Sequence, residues 1–212
     1  MKKEINIFFD LDGTLLDISA KCYQAHKHAA SLTGVSSLPF NKYWSAKRNR
    51  IPERQLIDFS DEDSFQKYET LRIGSLEDVN FLKYDAPFPW VRQLLRNLKK
   101  NNLFLVTARR NPKLVVDQLK DHKLDIFFNK IIVTSGGEPV ESKVRLIKKV
   151  GVESGDLIIG DTEADILVAR ELELTSIAVY SGIRTKKFLK RNNPDFLVKN
   201  AWDYFEKNSK YQ

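Results

Sequence analysis

The sequence predicts an α/β protein: a doubly wound parallel sheet with a helical segment inserted after its first strand. Short, continuous apolar runs rich in β-branched and aromatic residues recur along the chain, and helical stretches separate them. One gap between runs is roughly sixty-five residues longer than a single helical crossover needs. Continuous apolarity marks strands covered on both faces, and helices between such strands imply parallel pairing.

The first run, "INIFF" (5–9), ends at Asp10. The long gap follows. Residues 18–84 read as a helical insertion lying over the sheet's carboxyl edge, with helical stretches near 18–33 and 62–73 and no alternating strand pattern. Between them lie a loop around Leu38-Pro39-Phe40 and a basic segment, "AKRNRIPER" (46–54). "YDAPFPW" (84–90) returns the chain to the core, ahead of the helix "WVRQLLRNLKKNN". The next run is "LFLVT" (103–107). In "NPKLVVDQLKDH", Asn111 is placed to cap a helix with Pro112 at its first position, and Leu114, Val115 and Leu119 form a sheet-facing stripe. "KIIVT" (130–134), the helix "ESKVRLIKKVG" closing on Gly151, "DLIIG" (156–160), "SIAVY" (176–180) and the weaker "FLV" (196–198) complete the alternation.

With 212 residues, 42% hydrophobic and 30% charged, the chain fits a soluble globular protein of one domain, or of one domain carrying an insertion. No apolar run approaches the roughly 18 residues a membrane span requires, and the N-terminal run is too short for a signal peptide. A cytoplasmic protein without a membrane partner is expected. The lone Cys22 excludes an internal disulfide and a cysteine-based zinc site. Of the net charge of +7, residues 181–212 carry a surplus of five and residues 18–84 a surplus of two. No regular interleaving of aromatics accompanies these charges, so a solvated basic surface is the expectation and nucleic acid is not an expected partner.

In an open α/β sheet, ligands bind beyond the carboxyl ends of the strands. Asp10, Thr107 and Gly160-Asp161 all occupy strand ends. If those strands are neighbours, two carboxylates and a hydroxyl converge on a site for a cation and a phosphate. Asp10 and Asp12 lie two apart in an extended segment, so both side chains leave one face, with Cα atoms roughly 6.6 Å apart. Gly13 permits the following turn and leaves room for a ligand against the backbone. Taken alone, "DLDG" reads first as an Asp-Gly turn or a fragment of a calcium loop, and the downstream partners reverse that reading. In "GDTEADI" (160–166), helical spacing puts Asp161 and Asp165 on one face of a first turn, with a simple helix cap as the alternative. Hard oxygen ligands suit Mg2+. Lys143 opens its helix at the active edge, whereas Lys148 and Lys149 sit toward the far end.

The set "DLDGT" (10–14), Thr107 in "LVTARR", Lys143 and "GDTEAD" (160–165), in this order, resembles the haloacid dehalogenase (HAD) superfamily, in the phosphoglycolate-phosphatase-like branch with a helical cap. The resemblance spans essentially the whole chain, including the ending "PDFLVKNAWDYF" (194–205). It implies a Rossmann-like core of residues 1–17 and 85–212 with a cap of residues 18–84. It implies a Mg2+-dependent phosphatase in which Asp10 forms an aspartyl-phosphate and Asp12 protonates the leaving alcohol, then activates water. Thr107 and the amide of Ala108 would hold phosphoryl oxygens, and Lys143 would neutralise them. Asp10, Asp161 and the Asp12 carbonyl would hold Mg2+, with Asp165 in support. The implied partner is a small phosphorylated metabolite, and the implied assembly a monomer or homodimer.

Asp12 points to phosphate esters, because the superfamily's dehalogenases and phosphonate hydrolases lack an Asp there. Its sugar phosphomutases usually carry a His twelve positions past the nucleophile, where this chain has Cys22. His26 and His28 miss that spacing and read as helical surface histidines. A mutase, or a non-catalytic binding protein retaining the fold, is the alternative. In "EPVESK" the lysine falls four residues past Pro139 rather than directly before a proline. "ARR" follows Thr107, placing Arg109 at the pocket rim, where it meets either substrate or solvent. In the insertion, Arg48, Arg50 and Arg54 meet either an anionic substrate group or solvent, balanced by "DEDSFQKYE". Tyr43 and Trp44 either stack on substrate or pack cap helices. Asp17, where the chain leaves the core, reads as a turn or cap residue.

Overall fold

The computed structural model describes residues 4–134, 139–208 and 211. Glu138 of "EPVESK" and Lys210 of the basic C-terminal segment lie outside them. In chain order the elements are β1 (Asn6–Phe9), β2 (Leu16–Asp17), α1 (Ser19–Thr33), α2 (Phe40–Arg48), α3 (Glu62–Ser75), α4 (Val79–Leu82), β3 (Ala86–Pro87), α5 (Val91–Asn97) and β4 (Asn102–Ala108). There follow α6 (Pro112–Asp121), β5 (Lys130–Thr134), α7 (Pro139–Lys148), β6 (Leu157–Gly160), α8 (Glu163–Glu171), β7 (Thr175–Val179), α9 (Lys186–Lys190), β8 (Phe196–Val198) and α10 (Ala201–Lys207). The chain divides into two compact units, one holding the residues up to Asp17 and from Pro87 onward, the other Ile18–Ala86.

The first unit is built on a six-stranded sheet in the order β5-β4-β1-β6-β7-β8, each pair parallel. Both faces of β1 are buried, which is why its apolar run does not alternate. Phe8 stacks on Phe104 of β4 at 5.0 Å and joins Ile158, Ile147, Val168 and Ala169 in one core layer. Phe9 faces the other way and meets Phe205 of α10 at 6.4 Å. Each such fully buried side chain contributes about 1.5–3 kcal/mol relative to exposure. At the amino edge the buried Asp156 accepts from the backbone and side-chain amides of Asn6 (2.8 and 2.9 Å) and from the Glu153 N–H (2.9 Å), tying β1 to the start of β6. The predicted cap of α6 forms: Asn111 Oδ1 accepts from the N–H of Lys113 and Leu114, with Pro112 at the first position. Chain order runs outward from β1 through β4 and β5, then returns to β6 on its other side, so the carboxyl end of β1 sits at a topological switch point.

The second unit is helical. Ala25, Ala29 and Ala30 of α1 are fully buried, and α1 packs chiefly against α3. Lys21 and Asp85 form a buried ion pair at 2.6 Å. Three expectations change here. His26 is fully buried rather than a surface residue: its Nε2 accepts the Leu38 N–H at 2.9 Å, so its Nδ1–H donates to the Tyr68 hydroxyl at 2.6 Å. Its ring stacks on Tyr43 at 4.5 Å, which puts Tyr43 in the unit's core. Residues 46–48 of the basic segment end a helix that the loop reading of 38–40 did not anticipate, and 53–55 form a 3-10 turn. Arg54 pairs with Glu62, the acidic balance expected of a solvated basic stretch. Asp17, which belongs to the first unit, lies in β2 rather than in a turn, and the N-cap of α1 is Ile18.

Candidate active site

Because β4, β1 and β6 are adjacent, their carboxyl ends bring Thr107, Asp10 and Asp161 to one edge. The Asp10 N–H still follows the sheet, donating to the Ile159 carbonyl at 2.9 Å, so the backbone of β1 holds this residue in place. Thr107, near the end of β4, is buried, and Ala108 beside it is exposed.

Two cations divide the carboxylates at this edge. Lys143, from the first turns of α7, is buried and donates to Asp10 Oδ1 at 2.8 Å and Asp165 Oδ1 at 2.7 Å. Lys148, further along α7, is exposed. Arg109, just past β4, holds Asp12 through both oxygens, Nε to Oδ2 at 2.6 Å and the terminal nitrogen to Oδ1 at 2.5 Å. Asp10 and Asp12 therefore leave the same strand end but are held by different partners.

Asp10, Asp161 and Asp165 each offer an oxygen lying within 4.8 Å of the other two. Burial, opposed by Lys143 and reinforced by the Asp165 and Asp12 charges, raises the pKa of Asp10 from 3.8 to about 7. Burial and the Asp10 charge likewise raise Asp161 well above its ordinary value, against the Ile183 N–H, which lowers it. Burial would lower Lys143, but the attraction of Asp10 and Asp165 outweighs it and holds the ammonium above the usual lysine range. The set fits a divalent cation on an observation of its own: Asp161 Oδ1 is fully buried and has no hydrogen-bond partner among the described residues. Hard oxygen donors of this kind suit Mg2+.

Two local readings are corrected. Asp161 is not on the first turn of α8. It precedes the helix, Thr162 takes the cap position, and Asp165 Oδ2 accepts the Thr162 hydroxyl at 2.7 Å and N–H at 3.3 Å. The missing side chain of Gly13 (φ +82°) makes room for Asp161 rather than for a ligand: a Cβ there would stand 2.1 Å from Asp161 Oδ2.

Sequence reasoning missed the loop after β7. There the Ile183 N–H donates to Asp161 Oδ2 at 2.5 Å, and Gly182 passes so close that a Cβ would meet the same oxygen at 2.1 Å. Arg184 anchors the loop to Glu163 at 2.8 Å. Its signal was available: "SGIRT" (181–185) follows a strand at the same carboxyl edge.

The sequence model of the haloacid dehalogenase-like hydrolases matches residues 7–179. Among curated proteins, a pyrophosphatase PpaX of Oceanobacillus iheyensis is 25% identical, covering 93% of each chain. A phosphoglycolate phosphatase of Synechococcus elongatus is 25% identical, over 94% of this chain and 95% of its own. Among solved structures, a haloacid dehalogenase-like hydrolase from Streptococcus pneumoniae superposes with a TM-score of 0.72 at 21% identity, covering 98% of this chain and 100% of that one. A hydrolase from Pseudomonas syringae does so at 0.68 and 23%, covering 97% and 98%.

Proposed function

The chain belongs to the haloacid dehalogenase-like hydrolase family, and from that premise we propose that it is a Mg2+-dependent phosphatase acting on a small phosphorylated metabolite. The observation that carries the proposal is the division of labour at the edge of β1: Asp10 lies with Lys143 and two further buried carboxylates, while Asp12 is held apart on Arg109.

In this reading Asp10 attacks phosphorus, the bond from phosphorus to the leaving oxygen breaks, and Asp12 gives that oxygen its proton. Asp12 then takes a proton from water as the water oxygen attacks the aspartyl-phosphate, returning Asp10 and releasing phosphate. Positioned proton transfer of this kind contributes about 10²–10⁴ in rate. Thr107 and the Ala108 N–H hold phosphoryl oxygens, and Lys143 offsets their charge. Asp10, Asp161 and the Asp12 carbonyl would hold Mg2+, supported by Asp165. The ion would supply positive charge against the like charges of nucleophile and phosphate. The helical unit, residues 18–86, is assigned the role of a cap that sets substrate specificity.

The relatives' names, pyrophosphatase and phosphoglycolate phosphatase, share one feature. Each names a substrate whose transferred phosphoryl is joined through oxygen to a second anionic group, and we assign this chain a substrate of that class. Release of inorganic phosphate from phosphoglycolate or pyrophosphate with Mg2+, lost on adding EDTA and in Asp10→Asn, is the expected result. Undiminished turnover by Asp10→Asn refutes the nucleophile assignment.

A further inference from the structure

Arg109 engages both oxygens of Asp12, is itself 5% exposed, and sits two residues past Thr107 at the end of β4. This bidentate, charge-assisted pair is formed by the carboxylate. Protonating a leaving oxygen requires the carboxylic acid, and activating water requires a carboxylate oxygen open to it. Neither is served while both oxygens are taken by the guanidinium. Resting on the phosphatase reading above, the geometry also says where Arg109 lies relative to substrate. Asp12 must face the leaving oxygen, and the guanidinium is one hydrogen bond from Asp12, so it lies on the leaving-group side. The nucleophile side has its own cation, Lys143 on Asp10. A guanidinium fork pairs equally well with a carboxylate or a phosphoryl group, so a second anion beyond the leaving oxygen competes directly with Asp12 for it.

We propose that Arg109 is an exchangeable latch on Asp12: the second anionic group of the substrate draws the guanidinium from Asp12 to itself, and the freed carboxylate takes up a proton from water and passes it to the leaving oxygen. Arg109 is thereby a specificity-determining residue. Substrates with an anionic leaving group release Asp12 on binding, and monoesters with a neutral leaving group do not.

The test compares phosphoglycolate with ethyl phosphate, which lacks the second anion, in the wild type, Arg109→Gln and Arg109→Lys, with Mg2+. The wild type is expected to favour phosphoglycolate in kcat/KM. Arg109→Gln should reduce that preference at least tenfold, chiefly through a higher KM for phosphoglycolate, and Arg109→Lys should recover part of it. A second measurement does not depend on the Gln variant folding. In Asp10→Asn protein, the Arg109 Nε–H resonance should move on adding phosphoglycolate and stay on adding ethyl phosphate. A preference unchanged in Arg109→Gln, or a resonance that responds alike to both compounds, overturns the latch alone. Phosphate release from neither compound by the wild type overturns the phosphatase reading and the latch with it.

Discussion

Replacing Gly182 with alanine is expected to weaken divalent-metal binding without unfolding the protein. The new Cβ would stand 2.1 Å from Asp161 Oδ2 and 2.4 Å from the Gly13 carbonyl oxygen. An ordinary contact needs about 3.4 Å, so the carboxylate and the loop must part by about 1.3 Å. Mg2+ tolerates ligand distances only within about 0.2 Å of 2.0–2.1 Å, so a displacement of this size takes Asp161 out of ligand range. The same shift stretches the 2.5 Å bond from the Ile183 N–H, a charge-assisted contact worth about 1.5–3 kcal/mol. A loss of at least tenfold in Mg2+ affinity by isothermal titration calorimetry is therefore expected, with a near-native circular dichroism spectrum. Gly74→Ala is the control: beyond its own chain neighbours and helix backbone nothing lies within 4 Å of its Cβ position, so it should leave metal binding alone. Mg2+ binding by Gly182→Ala within twofold of wild type would refute the argument that this glycine positions Asp161.

Lys143→Met should destabilise the protein by about 3–5 kcal/mol in EDTA, because it leaves the half-buried Asp10 and the buried Asp165 without their cation. Thermal melts should show part of that loss recovered on adding Mg2+, and an unchanged melting temperature in EDTA would contradict the assignment. His26 is expected to make stability fall as pH drops. Burial, opposed by Glu53 and aided by Arg72, lowers its pKa from 6.5 to about 4. Below 6.5 the unfolded chain binds a proton that the folded chain refuses, so stability declines from pH 6.5 to about 4, by at most roughly 3 kcal/mol. Urea titrations across that window should show a shallower slope in His26→Gln, and equal slopes would exclude His26 as the source.

What was legible in the sequence was local. Continuous apolar runs marked strands because β1 buries Phe8 on one face and Phe9 on the other, and Asn111-Pro112 marked a helix start because a cap is made with residues two and three positions on. Asp10, Thr107 and Asp161 stood out because each closes an apolar run, and in a parallel sheet such ends share an edge. Strand order was not legible, since every run has much the same composition. Nor were the partners that strand order creates: Arg109 on Asp12 across 97 residues, the Ile183 amide on Asp161 across 22, and Tyr68 on His26 across 42. His26 read as a surface residue of its helix, and contacts with Tyr68 of α3, Tyr43 of α2 and the Leu38 backbone bury it. Gly13 shows the division within one residue. Its need for a missing side chain was written in "DLDG", but that the space would hold the Asp161 carboxylate depended on which strand folded next to β1. Periodicity and capping are short-range and survive in one dimension; which donor meets which carboxylate is set by the sheet order that chain-wide burial selects.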